Sequence, residues 1–241
     1  STLWLVPRQT AGIRPGSPFD GLGLRGNDSC GIIAEDVRVD ESARLGLNTA
    51  GPDRLDRLLE ALGLDRSERD IIGDSLQDWR DPNEAQRLHG AESDFYLALP
   101  VPYRARNGNL QDAAELLQIR GVTPALYRGT GERPGLGELV TAAAVSAVNL
   151  NTASPLVLKA LGLADAEIAD VVQTRVRAPY PSVPGRFAGR GLAVGSSVFR
   201  IEAEGWVAGS RRSHAIAIVQ RGRTDAPLEA TILTWRPGGE P

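Results

Sequence analysis

Between Asp53 and Trp79 the apolar residues recur at helical spacing, as Leu55, Leu58, Leu59 and Leu62 and then Ile71, Ile72, Leu76 and Trp79. That spacing predicts two helices, each with one face turned to a core. Asn48-Thr49 and Pro52-Asp53 supply start signals for the first and Gly63 stops it; Ser67 precedes the second and Asp81-Pro82 ends it. Leu110 to Ile119 predicts a third helix closed by Gly121, Pro124 to Tyr127 opens a short one, and a pair follows over 154–161 and 165–175 with Gly162 between. On either side the period changes. Ile33, Val37 and Val39, then Leu45 and Leu47, alternate with polar neighbours around Asp40-Glu41-Ser42, predicting strand, turn and strand. Val198 to Glu204 alternates apolar and charged residues, Ala208-Gly209-Ser210 makes a turn and Ala215 to Gln220 alternates back, which predicts an antiparallel hairpin. Leu228 to Trp235 supplies a last strand, and residues 1–30, with Pro7, Pro15 and Pro18, form an irregular lead-in. The order strands, helices, strands describes an α+β chain: residues 31–48 and 186–241 build a sheet domain, and 49–185 an inserted α-helical domain.

Composition narrows the functional classes. The 241 residues are 41% hydrophobic and 24% charged, as in globular domains, and are enough for one large domain or two connected ones. A formal net charge of −3 argues against a protein whose main task is neutralising nucleic-acid phosphates. Of 27 basic residues only Lys159 is lysine, which reflects compositional bias rather than a binding signal. The single cysteine, Cys30, excludes an intramolecular disulfide and a cysteine-based zinc site, and no apolar run reaches the length of a membrane span.

Candidate chemistry concentrates after the second helix. Twelve acids face six arginines between Asp53 and Asp94, and Asp78, Asp81, Asn83, Glu92 and Asp94 flank a loop that turns back near Gly90. Hard oxygen ligands gathered in an irregular loop suit calcium, which would neutralise mutually repelling carboxylates. The competing reading pairs Asp74 and Asp78 with Arg80 or Arg87 on a solvated face. Trp79, Phe95, Tyr96 and Tyr103 cluster around this loop as core, while Trp206 and Trp235 are expected to anchor the sheet. No catalytic residue is assigned. His89 and His214 stand in no nucleophile or metal motif, and Gly189 to Gly195 precedes a strand, which suits a mobile glycine connector better than a phosphate cradle.

Seven stretches in order resemble the K-type minor pseudopilins of type II secretion systems. They are Asp36–Asn48, Asp74–Asp81, Gly90–Tyr96, Pro102-Tyr103 with Arg106-Asn107-Gly108, Glu115-Leu116-Leu117 with Gly121–Pro124, Val148–Ala153, and the hairpin from Ser196. The resemblance implies a pilin-like sheet domain interrupted by a large helical domain with sterile-alpha-motif-like and helix-hairpin-helix-like parts. It implies a periplasmic tip subunit, anchored to the inner membrane, that associates with I-type and J-type minor pseudopilins and touches the outer-membrane channel or cargo. Members of that family bind calcium. Their long N-terminal helix has no counterpart in residues 1–30, so the chain is either trimmed or divergent. A second resemblance, of 114–128 and 148–175 to helix-hairpin-helix DNA-binding modules, gives the alternative function. Against it, each hairpin has one glycine, and residues 110–178 hold seven acids and six bases.

Overall fold

The computed structural model describes residues 39–131, 133–207, 210–222 and 230–237. The lead-in, Ile33, Val37, Cys30 and the turn at 208–209 lie outside them. The chain divides into two compact units, one of residues 1–39 with 197–241 and one of 40–196. Residues 40–48 and 186–196, expected with the sheet, therefore lie with the helices.

The unit of 40–196 is built on two helices that carry the predicted spacing, α1 (Pro52–Ala61) and α2 (Arg66–Arg80). Leu55, Leu58 and Leu59 of α1 and Ile72, Leu76 and Trp79 of α2 are buried. Asp65, not Ser67, caps α2: its carboxylate accepts from Glu68 N, and Glu68 Oε2 accepts from Asp65 N, a reciprocal pairing that satisfies two orphan donors. Beyond α2 come α3 (Ser93–Leu97), α4 (Pro124–Arg128) and α5 (Leu136–Leu139). The pair α6 (Pro155–Ala160) and α7 (Asp165–Arg177) completes the helices, with α1 packed against both α2 and α6. The helix predicted over 110–119 is only a 3-10 segment, Ala113–Gln118, ended before a left-handed Gly121 at φ 89°. A Cβ there would stand 2.8 Å from Ile72 Cγ1, so the glycine also lets the chain approach α2.

Short strands tie distant segments together. β1 (Val39–Asp40), a 3-10 turn over Glu41–Ala43 and β2 (Leu45–Gly46) follow the predicted order of strand, turn and strand, but the two strands do not pair with each other. β2 instead pairs in parallel with β5 (Val140–Thr141), after the hairpin of β3 (Gly129–Thr130) and β4 (Arg133–Pro134). β6 (Val148–Asn149) pairs in parallel with β7 (Leu192–Ala193). Within the glycine connector at 189–195, Val148 N donates to Gly191 O at 2.9 Å and Leu150 N to Ala193 O at 2.8 Å, so its middle is paired as a strand.

The sheet of the other unit runs in the order β1, β8 (Val198–Val207), β9 (Ser210–Arg221), β10 (Ala230–Pro237). β8 and β9 form the predicted antiparallel hairpin, and β10 pairs antiparallel to β9 with a bulge between Ile232 and Thr234. Trp235, expected to anchor the sheet, is 65% exposed on β10, which among the described strands pairs only with β9.

Candidate functional site

The acidic loop grows out of the last turn of α2, whose helical spacing puts Asp78 on the buried face beside Trp79. Trp79 meets Tyr96 edge-on at 5.2 Å, Tyr96 stacks on Tyr103 at 5.2 Å, and Phe95 meets Tyr96 edge-on, so the predicted aromatic cluster is the floor under the loop. Arg120 lies 4.9 Å over the Phe95 ring and donates to Gly90 O at 2.9 Å.

On this floor one arginine gathers two carboxylates. Arg87 Nη1 donates to Asp78 Oδ1 at 2.5 Å and to Asp81 Oδ2 at 2.6 Å, and Arg87 N donates to Asp78 Oδ2 at 3.2 Å. Asp81 and Asp78 raise the Arg87 guanidinium's pKa through these bonds. The loop comes so close at Gly90 that a Cβ there would lie 1.9 Å from Asp78 Oδ2. Glu84 accepts from Asn107 Nδ2 at 2.8 Å, from Ser93 Oγ at 2.9 Å and from Ser93 N at 3.1 Å, and these donors lower its pKa.

Glu92 is the exception. It is 4% exposed, and neither carboxylate oxygen has a hydrogen-bond partner. Burial, followed by the charges of Asp78, Glu84 and Asp81, pushes its carboxyl up to about 7. Of the five residues read as ligands, Asp78, Asp81 and Glu92 therefore share one electrostatic neighbourhood. Asn83 is joined to Asp81 through Nδ2 at 2.7 Å, while Asp94 is exposed on α3. The pairing of Asp78 with Arg87 is the one the competing reading expected; Glu84 and the second bond of Arg87, to Asp81, escaped it, since their contacts span 6 to 23 residues of sequence and carry no local signal. Arg80, offered as a carboxylate partner, donates instead to Leu47 O. His89 donates its N–H to Asp74, and Nε2 of His214 lies 3.7 Å from Glu202. Among the described residues, no three His, Cys, Asp or Glu side chains form a ready ligand shell.

The α6–α7 hairpin turns through Gly162 at φ 82°, as a helix-hairpin-helix module does. Its backbone donors are already used: Gly162 N donates to Lys159 O, Leu163 N to Leu158 O, and Ala164 N to Glu167 Oε2. Arg190 Nη1 in turn donates to Glu167 Oε2 at 2.7 Å, so a carboxylate of the chain itself holds the helix N-terminus where a phosphate would bind.

The Val148–Ala153 motif does different work. Asp40 Oδ2 accepts from Thr152 Oγ1 and Ser196 Oγ, each at 2.5 Å, and from Asn149 Nδ2 at 3.4 Å. Asn151 accepts from Tyr180 N at 2.7 Å and donates to Tyr180 O and Val194 O, both at 3.1 Å. The first and last residues of the 40–196 unit are thus fastened to one turn.

Residues 37–130 match the family described as type II secretion system (T2SS), protein K. The chain is 34% identical over 117 residues to type II secretion system protein K of Pectobacterium carotovorum subsp. carotovorum, covering 46% of this chain and 35% of that protein. To the protein of that name from Klebsiella pneumoniae it is 38% identical over 72 residues, 30% of this chain and 22% of the relative. The matched stretches thus span about a third or less of these relatives' lengths. Among solved structures, a chain in the GspK-GspI-GspJ complex from the enterotoxigenic Escherichia coli type 2 secretion system has the same fold. The TM-score is 0.68 at 22% identity, over 85% of this chain and 79% of that one.

Proposed function

We propose, from the likeness of residues 37–130 to type II secretion system protein K, that this chain is part of a minor pseudopilin that initiates or caps the secretion pseudopilus. The observation that carries this reading is the coincidence of a family match over 37–130 with a fold shared, over most of both chains, with a subunit of a minor pseudopilin complex. A pilin-like sheet split by a helical insertion is the finer form of the proposal. It is supported by a sheet whose strands come from both flanks of 40–196. The work is binding, not turnover, and its place is the periplasm. The partners are I-type and J-type minor pseudopilins, with the helical unit left free to meet the outer-membrane channel or cargo. Helix-hairpin-helix DNA binding has no support, since the hairpin donors that would hold a phosphate are spent on Lys159, Leu158 and Glu167. Co-purification tests the reading. The chain is expected to form a complex with its own I-type and J-type partners at micromolar concentration, and failure of both to bind would overturn it.

We further propose that the loop takes up calcium. The orphaned, buried Glu92 carboxylate among the charges of Asp78, Asp81 and Glu84 fits a hard cation better than it fits an apolar core. Because no three of these carboxylates converge as they stand, Asp78 and Asp81 would have to turn from Arg87 to join Glu92 on the ion, with the Asn83 side chain on Asp81 steadying the loop. The ion supplies neutralisation: it stabilises the ionised form of Glu92 and orders 81–93. Calorimetry should show calcium binding that Glu92→Gln abolishes, and a melting temperature that a chelator lowers. Absence of heat and an unchanged melting temperature would remove the site.

A further inference from the structure

Arg87 stands where the charges of the acidic loop meet. Asp78 Oδ1 and Asp81 Oδ2 converge on one atom, Arg87 Nη1, at 2.5 and 2.6 Å. Asp78 is wholly buried, whereas 36% of the Arg87 side chain is in solvent, so the arginine can leave and the aspartate cannot. A guanidinium carries one charge, and this one reaches two carboxylates. The third, Glu92, is 4% exposed with both oxygens unpartnered, although Asp78, Glu84 and Asp81 all act on it electrostatically. A calcium ion carries twice the charge and takes about six to eight oxygens, enough to serve all three.

The groups around them are occupied. Glu84 accepts from Ser93 and Asn107, Asp74 accepts from His89 N, and Asp94 is exposed. Arg80 donates to Leu47 O, Arg106 pairs with Glu115, Arg120 donates to Gly90 O, and Arg104 acts on Glu84 through its charge. Among the described residues, Arg87 is the one cation that pairs with Asp78 or Asp81. The course of the loop does not depend on its side chain. Arg87 N, a main-chain donor, bonds Asp78 Oδ2 at 3.2 Å, and Gly90 O accepts from Gln86 Nε2 and Arg120 Nη1, both at 2.9 Å.

We propose, on the reading that calcium is the ion of this loop, that Arg87 is its built-in competitor: guanidinium and ion use the same two aspartates in turn. Arg87 therefore sets the calcium concentration at which the loop loads. A hydrogen bond between charged groups is worth at least about tenfold in an equilibrium constant, and two must be given up. Calorimetry should show Arg87→Gln binding calcium at least about tenfold tighter than the native chain, with Arg87→Lys in between, since an ammonium keeps the charge without the planar fork. In the native chain the Arg87 Nε–Hε resonance should move saturably toward that of a solvent-exposed arginine as calcium is added. Sodium chloride at matched ionic strength should leave it in place, and this measurement needs no variant to fold. Calcium bound equally or more weakly by Arg87→Gln, or bound with the Arg87 resonance unmoved, would overturn the competitor and leave the calcium site standing. No binding by either protein would remove the calcium reading and the competitor with it.

Discussion

Asp40 offers the sharpest test of how the 40–196 unit is held closed. Its carboxylate accepts from Thr152 Oγ1 and Ser196 Oγ at 2.5 Å, from Asn149 Nδ2 at 3.4 Å and from Ser42 N at 2.9 Å. Hydrogen bonds to a charged acceptor contribute about 1.5–3 kcal/mol each. The Asn149 contact is long, and Thr152 is exposed, so water replaces part of what is lost. Asp40→Ala should therefore cost about 2–4 kcal/mol. Asp40→Asn should cost about 1–2 kcal/mol, because hydroxyls accept as well as donate and can turn toward the new amide. Urea unfolding of the whole chain measures the loss, and amide hydrogen exchange localises it. Protection should fall at 40–44, 149–152 and 192–196 and hold in α1 and α2, whose contacts are untouched. A loss below about 1 kcal/mol with unchanged exchange at those three segments would refute the idea that this carboxylate closes the unit.

Three further outcomes follow from the site and the sheet. Glu92 is pushed up to about 7 in the folded protein, above its ordinary value, so the native state holds a proton that the unfolded chain has released. In chelator, the Glu92 contribution to stability should be full below about pH 4.5 and decline by about 1–2 kcal/mol as pH rises through 7; Glu92→Gln should flatten the slope between about pH 5 and 8, as thermal melts would show. Gly90→Ala would set a methyl 1.9 Å from Asp78 Oδ2, so Arg87, Asp78 or the loop must shift; a loss of about 2–3 kcal/mol in urea melts is expected, typical of overpacking. Trp235→Ser removes a side chain that is 65% exposed and should change stability by less than about 0.5 kcal/mol in urea melts.

The chain's own pattern settles the local elements. Apolar residues at helical spacing fix α1 and α2, alternation from Val198 fixes the β8–β9 hairpin, and glycines at 121 and 162 mark left-handed turns, since each signal lies within a few residues. It also identified the acidic loop and its aromatic floor, because both are dense in unusual residues over a short stretch. What it left open depends on partners far along the chain. Leu45-Gly46 pairs with 140–141, not with 39–40; the glycine-rich 189–195 becomes a strand edge on 148–149; and Asp40 meets Ser196 across 156 residues. Glu92 is indistinguishable in sequence from Asp94, yet folding buries the one without a partner and leaves the other in water. Local periodicity reports which face of an element is apolar. Which charges end up desolvated together is decided only when separate segments close on one another, and the site chemistry rests on that.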